Sequence, residues 1–364
     1  MSFYENELKA LKKSGRHRHR EVWSDSLKDF SSNDYLGLAH NKALHEQTVQ
    51  KLSCMPYHST KASMLVSGYH QIHKNFEEAL CRVNGFEAGV VLGSGFNANI
   101  ALIESLVRKG DTLFMDELYH ASGVLASQIG NMDVIFFKHN DMQELETLVQ
   151  NSQAKRKIIA VEGIYSMDGD LCEREVFEIA DKYNALLVVD EAHSSGVVGK
   201  HLMGVFDFYN IPIKSNYIKM GTLGKAYGSF GAFILASEHI VEYLLNRAKP
   251  LIYATSLSLY DTLLAHKALE FMIANTALLK EQIQLRQKIV EDILGIKMAG
   301  LIAPVIIGSN TKVLEIQKTL LELGYSVGAI RQPTVKHAII RLIARLGEEP
   351  DSLENLCKEL EKLR

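Results

Sequence analysis

Leu186-Leu187-Val188-Val189-Asp190-Glu191-Ala192-His193 is the stretch whose reading decides the fold. Its four consecutive aliphatic residues offer no polar face, so the strand they form is covered on both sides, as in a parallel sheet between helix layers. The run then stops on a carboxylate. Such a group at the end of a buried strand is costly unless a cation or a hydrogen-bond donor faces it. His193 follows three residues later and can reach the same space. A helix N-cap is the other account of Asp190.

Outward from this strand the chain alternates. Helical spacing of apolar residues recurs at 41–53, 73–84, 97–109, 141–150 and 173–184. Short β-branched runs fall between or after them, at 88–92, 112–115, 134–138, 157–161, 185–189 and 217–219. Strands alternating with helices predict a mostly parallel sheet covered on both faces. In such sheets ligands gather at the loops leaving the carboxyl ends of the strands. From 257 to 294 the periodicity is nearly unbroken and predicts one long connecting helix. Beyond it, strands at 302–307, 326–330 and 338–343, with helices at 311–323 and 350–363, read as a small α+β domain. The expected organisation is an N-terminal segment over 1–40, a large domain over 41–270 and a small domain over 271–364.

Composition narrows the classes. Of 364 residues 47% are hydrophobic and 23% charged, enough for a large core and too apolar for a disordered chain. The formal charge of −3 gives no basic excess that would call for a nucleic-acid or membrane partner. Cys54, Cys81, Cys172 and Cys357 form no C-x-x-C pair, which fits reduced thiols in a cytoplasmic protein. The first twenty residues lack the apolar core of a signal peptide, and no membrane span is expected. His70 and His73 have a spacing that can hold a metal on a helix. No carboxylate partner stands out, so they are expected on a solvated helix face and no metal site is expected.

Three loops carry chemistry. Gly93-Ser94-Gly95-Phe96-Asn97-Ala98-Asn99 opens a helix, where free N–H groups and the helix dipole favour an anion such as phosphate; a flexible turn is the plainer account. Asp190 and His193 lie on the second loop. The third, Met220-Gly221-Thr222-Leu223-Gly224-Lys225-Ala226, sets a lysine among small residues just past a strand. The letters Asp-Glu-Ala-His invite a helicase reading. That reading fails because the nearest Gly-Lys loop is too short, ends in Ala226 and lies after them. A phosphate cradle, a carboxylate to face a protonated ring nitrogen, a histidine and a loop lysine together are what pyridoxal 5′-phosphate needs. An aminotransferase or lyase, or a fold kept only for binding, meets the same demands.

Five blocks add a resemblance: Ser32-Asn33-Asp34-Tyr35-Leu36-Gly37-Leu38, Leu65-Val66-Ser67-Gly68-Tyr69, Ser94 to Asn99, Glu162-Gly163-Ile164-Tyr165-Ser166-Met167-Asp168-Gly169-Asp170, and the region from Asp190 to Lys225. In these the chain resembles the α-oxoamine synthases, pyridoxal-phosphate enzymes of fold type I, over nearly its whole length. The resemblance implies an acyltransferase that condenses an amino acid with an acyl thioester, of CoA or a carrier protein, with loss of carbon dioxide. The wording of 162–170 and 228–232 is most like the branch that joins L-alanine to a pimeloyl thioester. Glycine-using branches share most of the cofactor motifs.

Residue roles follow from the same resemblance. Lys225 would hold the cofactor through its amine and later move the Cα proton. Asp190 would face the ring nitrogen, His193 the phenolic oxygen, His120 the ring face, and Ser166 the phenolic side. Gly95, Phe96 and Thr222 would bind the phosphate, as would Thr255 of a neighbouring subunit, which implies a homodimer with shared sites. Asn33 and Arg341 would bind the amino-acid carboxylate, and Thr334 would line the substrate side. The basic stretch 16–20 would meet an acyl carboxylate or CoA phosphates. Departures from the family wording, at Met64, Gln332 and 336–341, fall on the acyl side.

Overall fold

The computed structural model describes residues 2–14, 17–18, 20–129 and 132–364. Eleven strands among them form two sheets. In chain order they are β1 (Lys28–Phe30), β2 (Ala88–Leu92), β3 (Thr112–Asp116), β4 (Asp133–Phe137), β5 (Lys157–Glu162), β6 (Leu186–Asp190), β7 (Tyr217–Thr222), β8 (Ala232–Ala236), β9 (Ile302–Gly308), β10 (Tyr325–Ile330) and β11 (Ala338–Ile343).

The large sheet has the order β2-β8-β7-β6-β5-β3-β4. Every neighbour pair is parallel except those of β8, which runs against both β2 and β7. Leu187, Val188 and Val189 of β6 are fully buried at the centre. Alternate side chains go to opposite faces, so Leu187 and Val189 enter one apolar cluster and Val188 the other. Each such side chain contributes about 1.5–3 kcal/mol by leaving water. Because the strands are parallel, the ends of β3, β5, β6 and β7 all face the same edge. Helix Gly95–Leu106 starts there too, directly after β2.

The small sheet is β1-β10-β11-β9. Its edge strand comes from the N-terminal segment: β1 pairs in parallel with β10, Lys28 opposite Tyr325. Arg345 secures the same junction. It is 2% exposed, donates to Asp29 and Asp34 at 2.8 and 2.5 Å, and reaches the Asp34 carbonyl at 3.0 Å.

Two expectations need correction. The single helix over 257–294 is two, Leu259–Ala274 and Thr276–Leu294, parted at Asn275. The Asn275 amide and the Thr276 hydroxyl donate to the carbonyls of Phe271 and Met272, each at 2.8 Å, offering the backbone a local alternative to continued helix. Residues 270 and 271, where the large and small domains are expected to meet, lie in the first of these helices. His73 does not lie on a solvated face: it is 1% exposed, its Nδ1 accepts from the His70 N–H at 3.0 Å, and its Nε2 donates to the Leu257 carbonyl at 2.8 Å. No cluster of metal-ligating side chains occurs among the described residues. All four cysteines are free thiols. No helix among the described residues is long and apolar enough to cross a membrane.

Candidate active site

The carboxyl edge of the large sheet encloses a cavity of about 190 Å³, lined by Gly95, Phe96, Asn99, His120, Glu162, Asp190, Ala192, His193, Met220, Thr222 and Lys225. The three loops singled out by sequence meet in it. Gly95 and Phe96 open their helix, so their N–H groups have no carbonyl one turn back to bond. Ser94 caps the helix through the Asn97 N–H at 3.2 Å. A Cβ on Gly95 would lie 3.6 Å from Thr222, so the helix start and the Thr222 loop form two walls of one cradle. Thr222 Oγ1 donates to the carbonyl of Gly231 at 3.0 Å; that glycine has φ +120°, backbone an L side chain rarely adopts.

Asp190 is 4% exposed and held at both oxygens: Oδ1 accepts from the Ala192 N–H at 3.0 Å and Oδ2 from the Asn99 amide at 2.9 Å. No helix starts at Asp190, since residues 191–204 contain no helix. It is no helix cap. Asn99 in turn accepts from Tyr119 at 2.8 Å and donates to Ser122 at 2.9 Å, whose hydroxyl meets His120 Nδ1 at 2.6 Å. His120 itself is exposed at the cavity, capping the helix Ala121–Gln128. It is not a core histidine. Burial lowers its pKa against the pull of Asp190.

Lys225 Nζ lies 2.7 Å from His193 Nε2. Burial lowers the lysine to about 8, against the raising effect of Asp190. Burial, and then Lys225, hold His193 well below its ordinary value, so its ring is neutral. That fixes a direction of donation. Lys225 donates to Nε2, Nδ1–H donates to the Tyr35 oxygen, and Tyr35 donates to Asn33 Oδ1 at 3.3 Å. Arg341 Nη1 donates to the same Asn33 oxygen at 3.0 Å, and its Nε to the Ser166 carbonyl at 2.7 Å. Arg341 is 7% exposed and is no surface arginine. The chain of contacts runs from the lysine amine to the arginine without a break.

Two expected site residues lie elsewhere. Thr334 is exposed and lines a separate cavity of about 490 Å³ with Arg18, Arg331 and Leu11. Of the basic stretch, Arg16 and His19 lie outside the described residues. Thr255 is exposed and does not line the main cavity. Residue-type reasoning also left three participants without a role: Asn99, Tyr35 and Glu162. Each stands inside a quoted motif, but a hydroxyl or amide becomes a network member only through partners distant in sequence.

A parallel sheet with one reversed strand, a lysine on the loop after β7 and a carboxylate ending β6 define the type I fold of pyridoxal-phosphate enzymes. The chain belongs to the class I and II aminotransferase family, which matches residues 26–360. Within that family it is similar to 8-amino-7-oxononanoate synthase of Helicobacter pylori, 42% identical over 359 residues that span 98% of this chain and 96% of the relative. A putative 8-amino-7-oxononanoate synthase of Aquifex aeolicus is 36% identical over 373 residues, covering 100% of this chain and 99% of that one. The solved 8-amino-7-oxononanoate synthase of Francisella tularensis is 26% identical, with TM-score 0.75 over 93% of this chain and 98% of its own. Serine palmitoyltransferase from S. paucimobilis, a structure with bound PLP, shares the fold at TM-score 0.87 and 21% identity, over 99% of this chain and 96% of that one.

Proposed function

We propose that the protein is a pyridoxal-phosphate-dependent acyltransferase that condenses L-alanine with a pimeloyl thioester, of CoA or a carrier protein, giving 8-amino-7-oxononanoate for biotin biosynthesis. The observation that carries this reading is the convergence of Lys225, Asp190 and the Gly95–Phe96–Thr222 cradle on one cavity. The residues fit the group: unbonded helix-start N–H groups suit a phosphate, as does the Thr222 hydroxyl once turned from the Gly231 carbonyl, a doubly held carboxylate suits a ring nitrogen bearing a proton, and a half-buried amine suits an aldehyde. When bound, pyridoxal phosphate supplies that aldehyde and a ring that accepts the electron pair freed at the amino acid's Cα.

The chain's own side chains do the rest. Arg341 and Asn33 bind the alanine carboxylate and orient the Cα–H bond. Lys225 Nζ takes the Cα proton and later returns one; general-base help of this kind is worth about 10²–10⁴-fold. His193 receives a hydrogen bond from Lys225 and passes its orientation to Tyr35. His120 covers the cavity from the helix Ala121–Gln128. Arg18 and Thr334 line the second cavity, whose basic side suits the distal carboxylate of the acyl chain. Ser166 holds Arg341 through its carbonyl.

The assembly is a homodimer in the cytoplasm, with Thr255 reaching the phosphate in the neighbouring subunit. Support comes from an exposed apolar patch. Val66 and Tyr253 are 80% and 78% exposed, on segments joined by the Ser256 N–H to the Ala62 carbonyl at 3.0 Å. Thiol release measured with pimeloyl and shorter acyl thioesters, each with alanine and with glycine, tests the function. Alanine with the pimeloyl donor is the expected best pair. A glycine preference would move the protein to another branch of the family.

A further inference from the structure

Glu162 lines the cavity, is 1% exposed, and has no part in the reaction described above. It ends β5 as Asp190 ends β6, and the two are register partners in adjacent parallel strands. Side by side on adjacent strands, the charge on one carboxylate raises the cost of ionising the other. Their hydrogen-bond partners differ. Asp190 accepts a hydrogen bond at each oxygen. Glu162 Oε2 accepts only the Ser166 N–H, at 3.1 Å, and Oε1 is buried with no hydrogen-bond partner among the described residues. A bare buried carboxylate oxygen is expensive as an anion and useful as a hydroxyl.

We propose that Glu162 is a neutral carboxylic acid that donates a hydrogen bond from Oε1 to an anionic oxygen of the ligand in this cavity. The groups facing it agree. Burial first, then Asp190 from β6 and Asp116 from β3, raise its pKa well above the carboxylate range. Lys225, on the loop after β7, and the Ser166 N–H oppose this. Arg341, from β11, reaches the same loop through the Ser166 carbonyl. The anionic oxygen belongs either to the ring's phenolic group or to the amino acid's carboxylate. The inference rests on the cofactor reading above, so its test begins without the cofactor.

Infrared spectra of the ligand-free protein at pH 8 should show a protonated carboxyl band that disappears in Glu162→Gln. Absence of that band from the wild type overturns the proposal, whether or not the protein binds pyridoxal phosphate. Failure to take up pyridoxal phosphate with the band present sinks the functional reading instead. A second measurement follows the pH midpoint for covalent capture of pyridoxal phosphate by Lys225. Replacing a neutral acid with a neutral amide leaves that midpoint in place, whereas removing a true anion lowers it by about a unit or more. A midpoint lowered in Glu162→Gln overturns the proposal. The third arm compares Glu162→Gln, which keeps a donor, with Glu162→Met, which does not. Loss of a hydrogen bond to a charged acceptor weakens binding roughly 10-fold or more. If the loss falls on pyridoxal phosphate, the acceptor is the phenolic oxygen; if it falls only on alanine bound to the holoenzyme, the acceptor is the carboxylate. No loss in either removes the donor role.

Discussion

At the scale of single residues the site turns on where protons sit. A free lysine titrates near 10.4, and Lys225 is brought down to about 8 by burial that outweighs the pull of Asp190. An amine attacks an aldehyde only as the free base, so the reactive fraction grows as pH rises through that value. Capture of pyridoxal phosphate by the ligand-free enzyme should accelerate with a midpoint near 8, followed by stopped-flow absorbance. A midpoint above 10 would show that the amine is not buried beside His193. Borohydride treatment of the holoenzyme should place the pyridoxyl label on Lys225 alone, and Lys225→Ala should take no label while losing at least about 10²-fold in kcat. Arg341→Met removes a charged donor from the carboxylate site. Its KM for alanine should rise roughly 10–100-fold, with kcat changed less.

Elements hold these residues by clamps as well as by packing. His139, just past β4, sits between Asp116 at the end of β3, at 3.2 Å, and Asp170 on the loop that also carries Ser166, at 2.8 Å. Burial opposes a charge on this ring, but the two carboxylates outweigh it and raise its pKa to about 10. The folded value is above the unfolded one. The clamp therefore stabilises fully below about 6.5, the unfolded pKa, and is lost as pH climbs through 10. The melting temperature of His139→Gln should fall below wild type by the widest margin near pH 6, with the gap closing toward pH 10. A gap independent of pH would mean that the clamp is not ionic. The turn at Asn275 is a second element-scale device. Periodicity carries across it because the apolar stripe is continuous, and only the side-chain capture of two carbonyls interrupts the helix.

The whole molecule depends on a junction between its two ends. Arg345, just past β11, binds Asp29 and Asp34 near the start of the chain while almost fully buried. Removing one partner of a buried ion pair leaves uncompensated charge, so Arg345→Met should cost about 3–5 kcal/mol in denaturant unfolding. The same segment carries Asn33 and Tyr35, so the loss should also weaken alanine binding. Assembly has its own test. If Thr255 serves the neighbouring site, Lys225→Ala and Thr255→Ala subunits mixed and re-associated should exceed the mean activity of the two alone. Mixed dimers place an intact lysine and an intact threonine in one site. No gain on mixing would confine each site to its own subunit.

Much is legible in the sequence. The Leu-Leu-Val-Val run, the alternation of strand and helix, and the glycine-rich starts of two loops are local signals. Local sterics and solvent exclusion determine them, so the parallel sheet and the residues at its carboxyl edge could be read directly. The strand Ala232–Ala236 was missed because it is antiparallel and buried, a run no different in composition from a helix segment. The roles of Asn99, Tyr35 and Glu162 were hidden for another reason. Whether Glu162 is charged depends on Asp190 standing beside it in register, and whether Tyr35 matters depends on His193, 158 residues away in the chain. Electrostatic coupling acts through space between groups that sequence keeps apart, and only the folded arrangement decides which of them meet.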